Sequence, residues 1–231
     1  MKHLIETTNP SGLTRVDYDR IVLDSIANDV IVKGGGYEYV DLGLSVKWAK
    51  CNVGAEKETD AGLYFAWGET TGYTASQVGT DKQFSLSDYK YGNSSSSDLT
   101  KYNQSDSKTV LESADDAASQ IMGGDWRMPT KDEFQELLSN TNKEWITNYN
   151  GSGVNGYKFT SKINGNSIFI PAAGYCNSGS VGNVGNRGYV WSSSLNTSNH
   201  SLAWSLGFNS GDCNMYYNYR CNGQSVRGVR K

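Results

Sequence analysis

Four cysteines (Cys51, Cys176, Cys213 and Cys221) and two histidines (His3 and His200) are the residues of this 231-residue chain best suited to metal or nucleophilic chemistry. Their spacing argues against both. No CxxC pair is present, and a zinc site needs tighter ligand clusters. A Ser/His/Asp set needs a histidine held between partners, yet His3 is terminal and His200 falls in a loop-like segment. Carboxylates gather at Asp115/Asp116 and at Asp132/Glu133/Glu136, where helix starts and solvated helix faces account for them. Paired acids for glycoside hydrolysis would need a supporting cleft, which nothing in the sequence indicates. The chain therefore reads as a non-enzyme with no metal or cofactor. Free, partly buried thiols are the favoured state of the cysteines, with disulfide connectivity left open by sequence.

Recognition is the other chemistry on offer. From Asn177 to Asn222 the chain is dense in Asn, Ser and Tyr. Between Ile163 and Gly223 there is no Lys, Glu or Gln, and the only charges are Arg187, Asp212 and Arg220. An ordinary soluble surface mixes both charge signs freely. Tyrosine instead offers a stiff amphipathic contact area at low entropy cost, with Ser, Gly and Asn supplying adaptable hydrogen bonds.

A net charge of −3 lacks the basic stripe expected of a nucleic-acid partner. No apolar run approaches the ~18 residues needed to span a bilayer. The opening MKHLIETTNPSG has no continuous apolar core of a secretory signal peptide. Such a chain is cytosolic, is carried out within an assembly, or lacks a leader that its gene encodes.

The elements that must position the Tyr-rich stretch can be read in order. Residues 1–36 end in Gly34-Gly35-Gly36, a flexible joint, and read as a leader or as an arm docking the domain on a particle or on its own copies. EYVDLGL, SVKWAK and LYFAWGE alternate as strands, with Val46 and Trp48 on one face. A polar excursion over Thr70–Lys108 is either mobile or pinned by Tyr73, Phe84, Tyr89, Tyr91 and Tyr102. Ser113 with Asp116 reads as a capping pair for a helix carrying Ala114, Ala117, Ala118, Ile121 and Met122, stopped by Gly123-Gly124. Thr130 with Glu133 forms a capping box for a second helix that buries Phe134, Leu137 and Leu138. YKFTSKI and SIFIPAA flank Asn164-Gly165, a hairpin signal that asks for positive φ at both turn residues. GYVWSSS, LAWSLGF and QSVRGVR follow as strands. In the middle one, Leu202, Trp204, Leu206 and Phe208 share a core face, leaving Ala203, Ser205, Gly207 and Asn209 for display. The fold class is α+β, two helices packed on antiparallel sheets.

EYVDLGLSVKWAKCNVGA, YFAWGET, DDAASQIMGGDWRMPTKDEFQELL, SIFIPAAGY, YVWSSSL and SVRGVR occur in an order that resembles the Fibrobacter succinogenes major domain family of gut Bacteroidetes. That family is similar in fold to C-type lectins and to the formylglycine-generating enzyme, and the resemblance covers about residues 37–230. The paired catalytic cysteines of the enzyme relatives do not carry over, because Cys213 and Cys221 lie eight apart. Nor are the calcium motifs of the lectins present.

The segment from Gly188 to Arg230 also resembles the variable region of proteins diversified by retroelements in gut phages and bacteria. There, replacement of template adenines turns Asn codons into Tyr, Ser, Asp, His, Cys and others, but never into Trp or Met. Trp204 and Met215 would then be invariant and inward-facing. The resemblance implies a non-catalytic binding domain over 37–231 with a variable face at about 177–222. Tyr189, Asn199, His200, Ser205, Asn209, Asp212, Asn214, Tyr216, Tyr217, Asn218 and Tyr219 would point outward, over a core holding Trp126, Trp191, Trp204 and Phe208. The implied partner is a protein or glycan on a cell surface, met from a phage virion or a bacterial exterior. The alternative is an adhesin or carbohydrate-binding module of the same fold without diversification.

Overall fold

The computed structural model describes residues 37–92, 95 and 98–231, so the arm reading of residues 1–36 lies outside the described residues. The fold is α+β. Fifteen elements follow one another: β1 (Tyr39–Val40), β2 (Lys47–Asn52), β3 (Tyr64–Phe65), α1 (Ala117–Met122), α2 (Lys131–Asn140), β4 (Thr141–Ile146), β5 (Gly156–Ser161), β6 (Ser167–Pro171), β7 (Tyr175–Asn177), β8 (Ser180–Gly182), β9 (Arg187–Leu195), β10 (Leu202–Asn209), β11 (Asp212–Tyr219), β12 (Gln224–Ser225) and β13 (Arg227–Arg230).

The central sheet runs β11-β10-β9-β12-β3, with a three-stranded sheet β1-β2-β13, a second three-stranded sheet β4-β5-β6 and the small hairpin β7-β8. Neighbours are antiparallel except β12, which runs parallel to β9.

The central sheet is buried on both sides. Trp191 and Ala203 face one cluster, built with Tyr64, Trp67, Phe84, Tyr102 and Trp126. Val190, Leu206 and Phe208 face the other, built with Trp48, Phe134, Phe159, Ile168 and Val229. This changes the expected division of β10. Its alternation does sort side chains to opposite faces, but each face is core at one end and open at the other. Ser205, expected on display, is wholly buried, and Trp204, expected in the core, is half-buried. The cause is local: the register between β10 and β9 shifts between Ala203 and Ser205, so that Ser205 sits opposite the buried Trp191. Small residues at 203 and 205 leave room for that indole.

The polar excursion is pinned over its described residues. Phe84, Tyr89, Tyr91 and Tyr102 are all buried in the first cluster, each worth roughly 1.5–3 kcal/mol in apolar burial. Two helix starts are set by local chemistry. Thr130 Oγ1 accepts from Glu133 N, and the Glu133 carboxylate accepts from Thr130 N at 2.8 Å. The first helix starts later than expected: Ser113–Asp115 is a 3-10 turn, and Asp116 caps α1 by accepting from Ser119 N at 2.9 Å. The β5–β6 hairpin forms, but by a five-residue connection in which Gly165 (φ 81°) has positive φ and Asn164 does not. Sequence reading passed over β4 as a strand and did not list β11 among the C-terminal strands.

Candidate functional site

The site is built on β11, which closes one side of the central sheet and, among the described residues, pairs only with β10. Register places Asp212 opposite Asn209, Asn214 opposite Gly207, Tyr216 opposite Ser205 and Tyr217 opposite Trp204. Because strand side chains alternate, Asp212, Asn214, Tyr216 and Asn218 share one face with Gly207 and Asn209. Cys213, Met215, Tyr217 and Tyr219 share the other with Trp204, Leu206 and Phe208. Tyr216, Tyr217 and Tyr219 are 44%, 56% and 55% exposed, in a chain that buries most of its other aromatic rings.

On the first face the strand's own side chains are tied together. Asn214 Nδ2 donates to Asp212 Oδ1 at 2.7 Å, the Tyr216 hydroxyl donates to Asp212 Oδ2, and Asn218 Nδ2 donates to Ser205 Oγ at 3.0 Å. The bond to Asp212, assisted by partial burial, raises the Tyr216 hydroxyl above its ordinary value. Across the sheet Arg187 Nη1 donates to the Tyr189 hydroxyl at 3.4 Å, and Tyr189 meets Tyr175 edge-on with centroids 5.3 Å apart. Between these rings lies a cleft of about 310 Å³ lined by Arg187, Tyr189, Gly207, Asn209, Asp212, Tyr216 and Asn218, and bordered also by Phe208 and Tyr217 of the alternate positions. Gly207 forms its floor. A Cβ there would lie 2.8 Å from the Tyr216 ring and 3.4 Å from that of Tyr189.

On the second face Trp204 and Tyr217 meet edge-on at 5.6 Å, and the Lys131 ammonium of α2 sits 3.8 Å from the Trp204 ring centroid. Met215 is half-buried against the second cluster, and Cys213 is buried, its thiol pushed up to about 12 by burial.

The expected face is thus two faces of one strand. Tyr189, Asn209, Asp212, Asn214, Tyr216 and Asn218 come together, whereas Tyr217 and Tyr219 look the opposite way. Asn199 is exposed and His200 half-buried in the turn before β10, at the ladder end where Leu202 opposes Tyr219. Asn199 holds that turn by accepting from Ser201 N at 3.0 Å. Ser205 serves the floor of the site through its bond to Asn218 rather than facing solvent. Arg187 and Lys131 were not singled out from sequence, although Arg187 is one of three charges in an otherwise uncharged window; Gly207 was expected on the display face without a role of its own.

The acids considered for catalysis are largely engaged elsewhere. Asp115 accepts from Lys90 at 3.0 Å, Lys101 at 2.5 Å and the Tyr102 hydroxyl at 2.7 Å. Asp116 takes the Met128 N–H at 2.8 Å, Glu133 pairs with Arg127, and Glu136 accepts from Ser45 N at 3.0 Å. The four thiols are free, with Cys176 and Cys213 buried. No grouping of His, Cys, Asp or Glu suited to a metal occurs among the described residues, and none of their helices is long and apolar enough to cross a membrane. No protein-family model, curated protein or solved structure matches the chain.

Proposed function

We propose that the protein is a non-catalytic receptor-binding module of C-type-lectin-like fold, whose β11 strand and adjoining β9, β10 and turn residues contact a protein or glycan on a cell surface. One observation carries the reading: three tyrosines stand exposed on an eight-residue outer strand while the strand beside it is mostly buried. Tyrosines so placed suit contact rather than folding. The composition of residues 177–222 supports a strand that is varied by adenine-directed mutagenesis, and the buried thiol of Cys213 and half-buried Met215 lie on its inward side.

A standard interface uses about 20–30 residues a side, more than β11 and its neighbours offer. Single copies would bind modestly, and display in many copies on a virion or a bacterial exterior would convert later contacts into intramolecular ones. The 1–36 arm would provide the attachment to such a particle or to further copies.

The test is capture of gut bacterial cells on beads carrying the wild-type chain or the Tyr216→Ser, Tyr217→Ser and Tyr219→Ser variants. Loss of capture with unchanged melting temperature is expected. Equal capture by the triple variant would overturn the reading. Sequencing the locus adds an independent check: a near-copy of the gene's 3′ end differing only at adenines is expected beside a reverse-transcriptase gene. Its absence, with capture retained, would leave an adhesin without diversification.

A further inference from the structure

The second face of β11 meets α2 in an open groove of about 510 Å³, lined by Lys131, Gln135, Leu138, Ser139, Lys143, Trp204, Asn214 and Met215. Its size falls within the range of small-ligand sites, ~300–1,000 Å³. Positions 131, 135, 138 and 139 follow the i, i+4, i+7, i+8 spacing of one helix stripe. Of the three acids of the same helix, Glu133 is held by Arg127 and Thr130, Glu136 by Ser45, and Asp132 is exposed on the first turn outside the lining. On β4, Glu144 is displaced to the other side of the strand from Lys143 and stands opposite Lys158 in the ladder.

The groove therefore has two ammonium groups and no carboxylate in its lining. Neither Lys131 nor Lys143 forms an ion pair among the described residues. Lys131 is also held in place. Its ammonium lies 3.8 Å from the Trp204 ring centroid, an attraction that orders the side chain without cancelling its charge. A carboxylate arriving there meets a donor whose position is already set, so less side-chain entropy is lost on binding. The amide of Gln135 and the Ser139 hydroxyl supply both donors and acceptors for hydroxyl groups. The wall of Trp204 and Met215 is suited to the apolar face of a sugar ring.

We infer that this groove binds an acidic saccharide, with the carboxylate received between Lys131 and Lys143 and the ring laid against Trp204. This deepens the proposed recognition role of β11 and rests on it for Trp204 and Met215. The two lysines lie outside the 177–222 stretch, so the charge preference would persist while neighbouring positions change. An acidic peptide is the competing occupant, and it fits less well because the lining offers a hydroxyl-matching amide and hydroxyl beside a ring-sized aromatic wall.

The experiment is calorimetric titration of the full chain at low salt with trigalacturonic acid and sialyllactose, each against a neutral counterpart (the methyl ester, and lactose). Binding by at least one acid, at least tenfold weaker for its neutral form, is expected. The Lys131→Gln/Lys143→Gln double variant should lose a further tenfold or more, whereas Lys57→Gln, which removes an equal charge from an exposed turn outside the groove, should bind the acid as wild type does. Absence of binding by both acids overturns the inference. So does equal binding of the neutral forms, an unaffected double variant, or binding of hexaglutamate as tight as that of the saccharide. Cell capture by the tyrosine variants is read separately, so a failed groove and a failed recognition strand give different patterns.

Discussion

Arg220 follows directly on the last residue of β11 and is only 1% exposed. Its Nε donates to the Tyr89 hydroxyl at 3.0 Å, Nη1 to the carbonyls of Tyr102 (3.1 Å) and His200 (3.0 Å), and Nη2 to the carbonyl of Lys101 at 2.9 Å. The guanidinium carbon also lies 4.8 Å from the Trp67 ring centroid and 5.5 Å from that of Tyr89. Arg220→Met keeps much of the volume and the ring contact but removes every donor, leaving three carbonyls without it. Hydrogen bonds to a charged group contribute about 1.5–3 kcal/mol each, partly offset because a buried guanidinium no longer has to be desolvated. The net loss should be about 3–5 kcal/mol, since buried carbonyls left without a donor cost ~1–3 kcal/mol each against the desolvation regained. At roughly 2–4 °C per kcal/mol for a domain of this size, the melting temperature should fall by roughly 6–20 °C. Arg220→Lys should recover little, since an ammonium cannot reproduce the planar fork. Urea unfolding followed by tryptophan fluorescence measures both. An Arg220→Met variant within about 1 kcal/mol of wild type would show that the carbonyls find other partners and that the network is not what anchors β11.

Four further outcomes follow from the same structure. Trp204→Ala should cost about 1–2 kcal/mol, below the ~3–5 kcal/mol of a core tryptophan, while Tyr216→Ser should stay within about 0.5 kcal/mol; thermal melts compare them. Gln224 is fully buried and neither polar atom of its amide has a partner among the described residues, so Gln224→Met should raise stability by about 1–2 kcal/mol in urea titrations. Asp115 is pushed up by burial, yet bonds from Lys101, Tyr102 and Lys90 outweigh that and hold it well below the usual carboxylate range. Its contribution is therefore present above the unfolded value of ~3.9 and lost as pH falls below it; unfolding curves at pH 2–5 should show a shallower pH slope in Asp115→Asn. Gly207→Ala should displace the Tyr216 ring, weakening cell capture with little change in melting temperature.

Local chemistry was legible wherever a short run of residues decides the outcome. The Thr130/Glu133 box reads directly because donor and acceptor lie three residues apart, and the fold class follows from alternation and two apolar stripes. Asp116 rather than Ser113 caps α1 because its carboxylate also receives the Met128 N–H, a partner twelve residues away. The two-sided burial of β10 was hidden. Ala203 and Ser205 are small and carry no apolar signal, and their burial depends on the register shift against β9. β11 was hidden for a different reason. With tyrosine at 216, 217 and 219, a residue at home in either setting, polarity does not alternate, so the splitting of the site between two faces cannot be read from its letters. Arg220 and Arg227 are out of reach in the same way, since their acceptors are main-chain carbonyls from segments up to 178 residues distant.

The outer position of β11 bears on how freely it can change. An interior strand is hemmed in by two ladders, and a new side chain there must suit both. Among the described residues β11 has a ladder with β10 alone, so an exchange at 214, 216, 217 or 219 disturbs a single hydrogen-bonded row, and none of these four side chains belongs to either buried cluster. Tolerance to substitution is in this sense a property of where the strand lies rather than of the residues it now carries.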